Sequence, residues 1–145
     1  MSCADCGKNG GGGKCCANTE PRFTARPLRK GVRIGTVANT SRDGTGNIQT
    51  IVEPGENGCR VDGIIFKSIV TTTAGMVRIY LLDTNVWTLI GEVTVAAITA
   101  SGTVAAWEGA WTPTTGYITL EFGQHIGASM NAAESVVCHP EGGHY

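Results

Sequence analysis

The sequence predicts an all-β protein, an antiparallel β-sandwich of the jelly-roll kind, led by an extended non-globular N-terminal arm. Three observations point there. Residues 59–95 divide into three β-rich runs separated by short turns. The chain around them repeats that pattern, with about eight to ten short strands and turn signals every 8–12 residues or so. No segment carries the apolar period of an amphipathic helix.

The elements follow in order. Residues 1–20 combine Gly7, the Gly10–Gly13 run and four cysteines, with no large apolar residue after Met1, and cannot build a core. In residues 21–33, Pro21 and Pro27 impose an extended path, with Phe23 and Leu28 as apolar anchors. The arm is therefore placed at 1–31 and the β body at 32–145. Residues 32–37 alternate as a strand, and 39–47 form a turn-rich loop with Asp43-Gly44 and Thr45-Gly46. Residues 48–53 are a short strand closed by Pro54-Gly55. Val61, Ile64, Phe66 and Ile69 mark the first central strand, Met76 to Leu82 the second, and Val86 to Val95 the third, with Asp83-Thr84-Asn85 turning between the last two. No proline interrupts them, so they suit the middle of a sheet. Further strands are expected at 103–111, with a bulge at Gly109, then at 117–122, 126–130 and 134–138. Residues 139–145 read as a polar tail.

Length and composition bound the function. A chain of 145 residues suits one domain with a sizeable core. No apolar run is long enough for a membrane span, and no secretory h-region is visible, which fits a protein made and retained in a cytoplasm, or released from one by lysis. The net charge of −1 hides an asymmetry. Residues 1–33 hold seven basic groups against two acids, a net of +5; the remaining 112 hold four against ten, a net of −6. A basic arm on an acidic body suits docking on an acidic surface; a solvated leader is the plainer reading. Arg22, Arg26, Arg29, Lys30 and Arg33 would make the ionic contacts, with Phe23 and Leu28 filling small pockets. A single aromatic among these cations is a poor match to nucleic-acid recognition, so no nucleic-acid partner is expected.

The chemistry-bearing motifs are sparse. Cys3, Cys6, Cys15 and Cys16 could offer four thiolates to zinc, but adjacent cysteines bite a metal poorly. Disulfides within the arm or between chains suit flexible thiols once they leave a reducing cytosol, so these four are candidate crosslinks and no metal or cofactor is expected. Cys59 and Cys138 either pair with each other or serve as small buried apolar residues. Gly13-Lys14 fails as a phosphate loop, since Lys8 and Cys15 stand where Gly and Ser or Thr are required. Of the three histidines, His139 and His144 lie in the expected tail, which leaves His125 with Glu108 and Glu121 to consider for hydrolysis. With so many acids some carboxylate pair is inevitable, and these form no recognisable motif, so the chain is expected not to be an enzyme. Asn39-Thr40-Ser41 matches a glycosylation sequon. Trp87, Trp107 and Trp111 fill a core or rim, or else form an aromatic platform for glycan.

Residues 60–145 resemble small virion proteins of tailed bacteriophages. The likeness rests on Val61-Asp62-Gly63-Ile64-Ile65-Phe66-Lys67, on Thr71 to Tyr80, on the strand around Trp87, on Ala106-Trp107-Glu108 and on Gly142-Gly143-His144-Tyr145. These proteins are capsid decoration (cement) proteins or head-associated fibre proteins. The resemblance implies a β-sandwich body, homotrimeric, on the outer face of an icosahedral shell, with the major capsid protein as partner. The cysteine pairs and glycine run of residues 1–31 have no counterpart in that group. A fibre module that binds receptor or glycan is the alternative. On non-reducing gels, protein from its native particle is expected to run as covalent multimers that collapse on reduction. A variant with Cys3, Cys6, Cys15 and Cys16 all changed to Ser should lose them, and monomer bands in both lanes would eliminate the interchain lock.

Overall fold

The structure, a computed structural model, describes residues 23–145. Among these, every regular element is a strand: β1 (Arg26–Pro27), β2 (Val32–Ile34), β3 (Gln49–Val52), β4 (Cys59–Ser68), β5 (Gly75–Asp83), β6 (Val86–Val95), β7 (Glu108–Trp111), β8 (Ile118–Leu120), β9 (His125–Met130) and β10 (Val136–His144). They form two antiparallel sheets packed as a β-sandwich. In the six-stranded sheet, β10 and β4 are central; β1 and β2 pair with the free side of β10, and β7 and β8 with the free side of β4. The four-stranded sheet has the order β3-β9-β5-β6.

The long β4–β10 ladder runs from Val136 opposite Ser68 to His144 opposite Cys59. Its hydrophobic pattern is not a simple alternation. Cys59 and Val61 are buried, and so are Ile64, Phe66 and Ser68, which a strict period of two would place on the opposite face. A bulge reconciles them: the register slips between Glu141 and Gly142, so that Asp62 has no partner and both apolar sets face inward. Gly142 makes the slip feasible. Its φ of 143° lies where side chains are rarely tolerated, and a Cβ there would collide with the Arg60 carbonyl.

The core between the sheets is built from Val61, Ile64, Phe66, Val136 and Cys138 on one side. Val77, Ile79, Ile126, Ala128 and Met130 face them from the other. The β5–β6 hairpin turns through Thr84 and Asn85, both with positive φ (52° and 62°), the two-residue geometry whose twist matches paired strands.

Three expectations need correction. Residues 139–145 are not a tail, because β10 continues to His144 through the middle of the sheet. Polar His139 and Glu141 are only half-buried, while the chain around Pro140 stays paired with β4. The Cys138 carbonyl accepts from Gly31 N–H, so Pro140, two residues on, turns its missing donor toward the gap between β1 and β2. Residues 103–107 do not join a strand. The Ser101 hydroxyl accepts the amides of Thr103 and Val104 at 3.3 and 3.1 Å, and this local turn outcompetes ladder pairing. Gly109 is not bulged but pairs regularly with Phe66, its open face filled by the Trp107 indole.

Gly142→Ala should lower unfolding stability by at least about 1–3 kcal/mol, since it forces both strain and a backbone collision. Gly102→Ala, whose Cβ would meet open space, should stay within about 0.5 kcal/mol of wild type. Urea unfolding of the two variants checks this; equal midpoints would remove the role assigned to the bulge.

Candidate functional site

The two long edges of the sandwich differ. On one, β6 meets β7, and the Trp111 indole lies over Gly91, leaving no room for a side chain there. On the other, β2 and β3 stand apart and frame an open groove of about 780 Å³. Its apolar floor comes from Leu28, Ile51 and Val52, all part of the core. Arg29, Arg33, Thr36, Gln49, Glu53 and His144 line its polar walls. A smaller depression of about 340 Å³ at the end of the body is lined by Glu56, Glu121, Phe122 and Tyr145 among others.

The expected docking residues divide sharply on this frame. Arg26, Arg29, Lys30 and Arg33 are all exposed, and Phe23 is 86% exposed. Lys30 is engaged with Glu141 at 2.7 Å, whereas Arg26, Arg29 and Arg33 have no ion-pair partner among the described residues. Leu28 is not available as an anchor for a partner. It is 4% exposed, packs into the core, and its amide donates to the Gly142 carbonyl at 3.2 Å. The short β1 pairs Arg26 with His144, so residues 26–34 run along the edge of the six-stranded sheet. Cys3, Cys6, Cys15, Cys16 and Arg22 lie outside the described residues.

Residues 59 and 138 do not pair with each other. Cys138 stands opposite Phe66 and Cys59 opposite His144, well separated along the β4–β10 ladder, and both thiols are free and buried. Burial pushes the Cys59 thiol up to about 11 and raises that of Cys138 as well, so both act as small apolar side chains.

The groups considered for catalysis stay apart. Glu108 sits opposite Lys67 and Glu121 just beyond Leu120, which pairs with Cys59; at strand rise these are about 26 Å apart. His125 lies in the other sheet, opposite Leu82. The tryptophans pack within the body: Trp107 is buried, Trp111 covers Gly91, and Trp87 packs against Gly127. The exposed aromatics are Phe23, Tyr117 and Phe122, with the Arg60 guanidinium 4.2 Å above the Tyr117 ring. Among the described residues no three His, Cys, Asp or Glu side chains gather as a metal site.

A polar hub that sequence reasoning missed covers the outer face of the four-stranded sheet. Arg78 and Tyr80, on the face of β5 turned away from the core, are nevertheless buried, because residues 36–47 fold over them. Arg78 bonds the Asn39 carbonyl and the Glu92 carboxylate, the Tyr80 hydroxyl donates to the Ser41 carbonyl at 2.7 Å, and Arg42 meets Glu92 at 2.7 Å. Asn39 ties the loop itself together, its amide donating to the carbonyls of Thr45 and Asn47 while its oxygen accepts from Ser41 N–H. At 4% exposure, with both ends engaged, this sequon asparagine is structural. Ser129 Oγ, on neighbouring β9, is the one buried side-chain polar atom among the described residues without a partner. The available signal was Arg78 between Val77 and Ile79, in a strand followed by one that carries Glu92.

No protein-family model, curated protein or solved structure matches the chain.

The hydrogen bond from Arg42, followed by that from Arg78, holds the Glu92 carboxyl below its ordinary range against desolvation, and hydrogen bonds from Thr45 do the same for Asp43. A depressed folded-state value contributes stability that is complete above the unfolded value and is lost as pH falls through the folded one. Melting temperature should therefore be flat between about pH 5 and about pH 8 and drop below about pH 4. Glu92→Gln should lower it at neutral pH and flatten the acid limb; an unchanged acid limb would show that this carboxylate is not coupled to folding.

Proposed function

We propose that this chain is a non-catalytic structural protein of a tailed-phage virion, a decoration or cement protein whose body sits as a homotrimer on the outer face of an icosahedral capsid. Of the expected arm 1–31, residues 26–31 are held on the edge of the six-stranded sheet, so the part before them would reach over neighbouring subunits of the major capsid protein or of the cement itself, with Cys3, Cys6, Cys15 and Cys16 locking that reach. The observation that carries the reading is the row of cations Arg26, Arg29 and Arg33, without an ion-pair partner among the described residues and exposed along one edge of a body whose remaining charge is acidic. Separated charge of this kind orients a protein on an acidic surface, and many weak contacts repeated over a symmetric particle add up to firm attachment.

The jelly-roll reading has support in the strand order. If β1 and β2 count as one interrupted strand and β7 and β8 as another, the eight strands change sheet at every step except the β5–β6 hairpin, in the pairing order of two Greek keys. Jelly rolls serve in viral shells and in lectins alike, so the fold class is compatible with the glycan-binding alternative too. That alternative would have to use surfaces other than the packed tryptophans.

The test is co-sedimentation with particles stripped of this protein. Deleting residues 1–31 would remove core Leu28, so the informative variants are a truncation of residues 1–22 and the triple charge reversal Arg26→Glu, Arg29→Glu, Arg33→Glu. The triple variant should melt like wild type yet lose at least about tenfold in particle affinity. The truncation, which removes Arg22 and the four cysteines, should weaken attachment as well. Retention of full affinity by both would overturn the proposal, and glycan binding that survives in both would favour the fibre module.

A further inference from the structure

We infer that the groove between β2 and β3 is a strand-docking site, which takes an extended acidic segment of another polypeptide as a fifth strand on the four-stranded sheet. This goes beyond the virion reading and does not depend on it. β3 pairs only with β9, so the opposite edge of Gln49–Val52 presents backbone donors and acceptors with no strand partner among the described residues. Exposed edges are commonly blunted by charge, proline or a bulge. β3 itself carries none of the first two: its residues are Gln49, Thr50, Ile51 and Val52, and Pro54 falls beyond its end. Its register irregularity, between Thr50 and Val52, arises in the pairing with β9. On the opposite side of the sandwich β6 packs close to β7 and the Trp111 indole lies over Gly91, whereas here the two edge strands stand apart around an open groove.

The surroundings define the occupant. An added strand would present alternate side chains to the two walls. One set meets the apolar floor of Leu28, Ile51 and Val52; the other lies beside Arg29 and Arg33, which have no ion-pair partner among the described residues. Among the described residues Glu53 is the single acid lining the groove, and the balance is cationic. The matching segment therefore alternates acidic and β-branched residues over about four positions, the length of β3. Residues 1–22 of the chain itself are a poor match, since Lys8, Lys14 and Arg22 outweigh Asp5 and Glu20 and leave a net positive charge.

The test uses the full chain and a fluorescein-labelled peptide of alternating Glu and Val, with a Lys–Val peptide as control. Anisotropy should report saturable binding of the acidic peptide, weakened by salt and absent with the Lys–Val peptide. The exposed pair change Arg29→Glu with Arg33→Glu should weaken it at least about tenfold without altering the melt. Hydrogen exchange should show added protection at the β3 amides when the acidic peptide is bound. No saturable binding would overturn the inference. So would binding that the double variant retains at full strength, or binding that leaves β3 exchange unchanged, which marks a purely ionic contact elsewhere.

Discussion

The antiparallel pairing of β4 with β10 is the interaction on which the rest of the body depends. It supplies the two central strands of the six-stranded sheet, and every other strand of that sheet is placed by which free side it finds. β1 and β2 attach to β10, while β7 and β8 attach to β4. The bulge at Asp62 is part of that constraint. Without it, either Cys59 and Val61 or Ile64 and Phe66 would point to solvent, because side chains alternate strictly along a regular strand. Val61, Ile64 and Phe66 each stabilise the core by roughly 1.5–3 kcal/mol on burial, so the local irregularity is the cheaper solution.

The position of β1 and β2 on β10 determines where the cations lie. Leu28 turns into the core and its neighbours Arg29 and Lys30 turn out, so a short apolar anchor aligns basic residues along one rim. The same anchor leaves β2 facing β3 across an open groove, while on the far side Trp111 lies over Gly91 where β6 meets β7. The asymmetry between edges, and with it the candidate docking surface, follows from one leucine and one tryptophan as much as from the charges.

The four-stranded sheet solves a different problem. Its outer face carries Arg78 and Tyr80, whose polar ends cannot be buried alone without a cost of several kcal/mol. The loop over residues 36–47 answers each of them with a backbone carbonyl, and Glu92 supplies the countercharge. A loop held in this way acts as a lid on the sheet, which explains how a turn-rich segment with little apolar content keeps a defined path.

Fold class was legible because β-branched runs bounded by Gly, Asn and Asp report local backbone preference, and local preference is written residue by residue. Residues 59–95 showed their three strands, and Asp83-Thr84-Asn85 its turn, for that reason. The exposed status of Arg26, Arg29 and Arg33 was equally legible, since isolated cations seek water. What the sequence could not determine was anything set by a distant partner. His139 to His144 looked like a tail because their polarity says surface, yet β4 lends them a ladder. Asn39 looked like a sequon because its three carbonyl and amide partners are made by the loop's own closure over Arg78 and Tyr80. Leu28 looked like a free anchor because the pocket it fills comes from strands far along the chain. Periodicity and propensity act over a few residues and determined the class of fold; strand pairing and closure act across the whole chain, and only the tertiary structure could decide them.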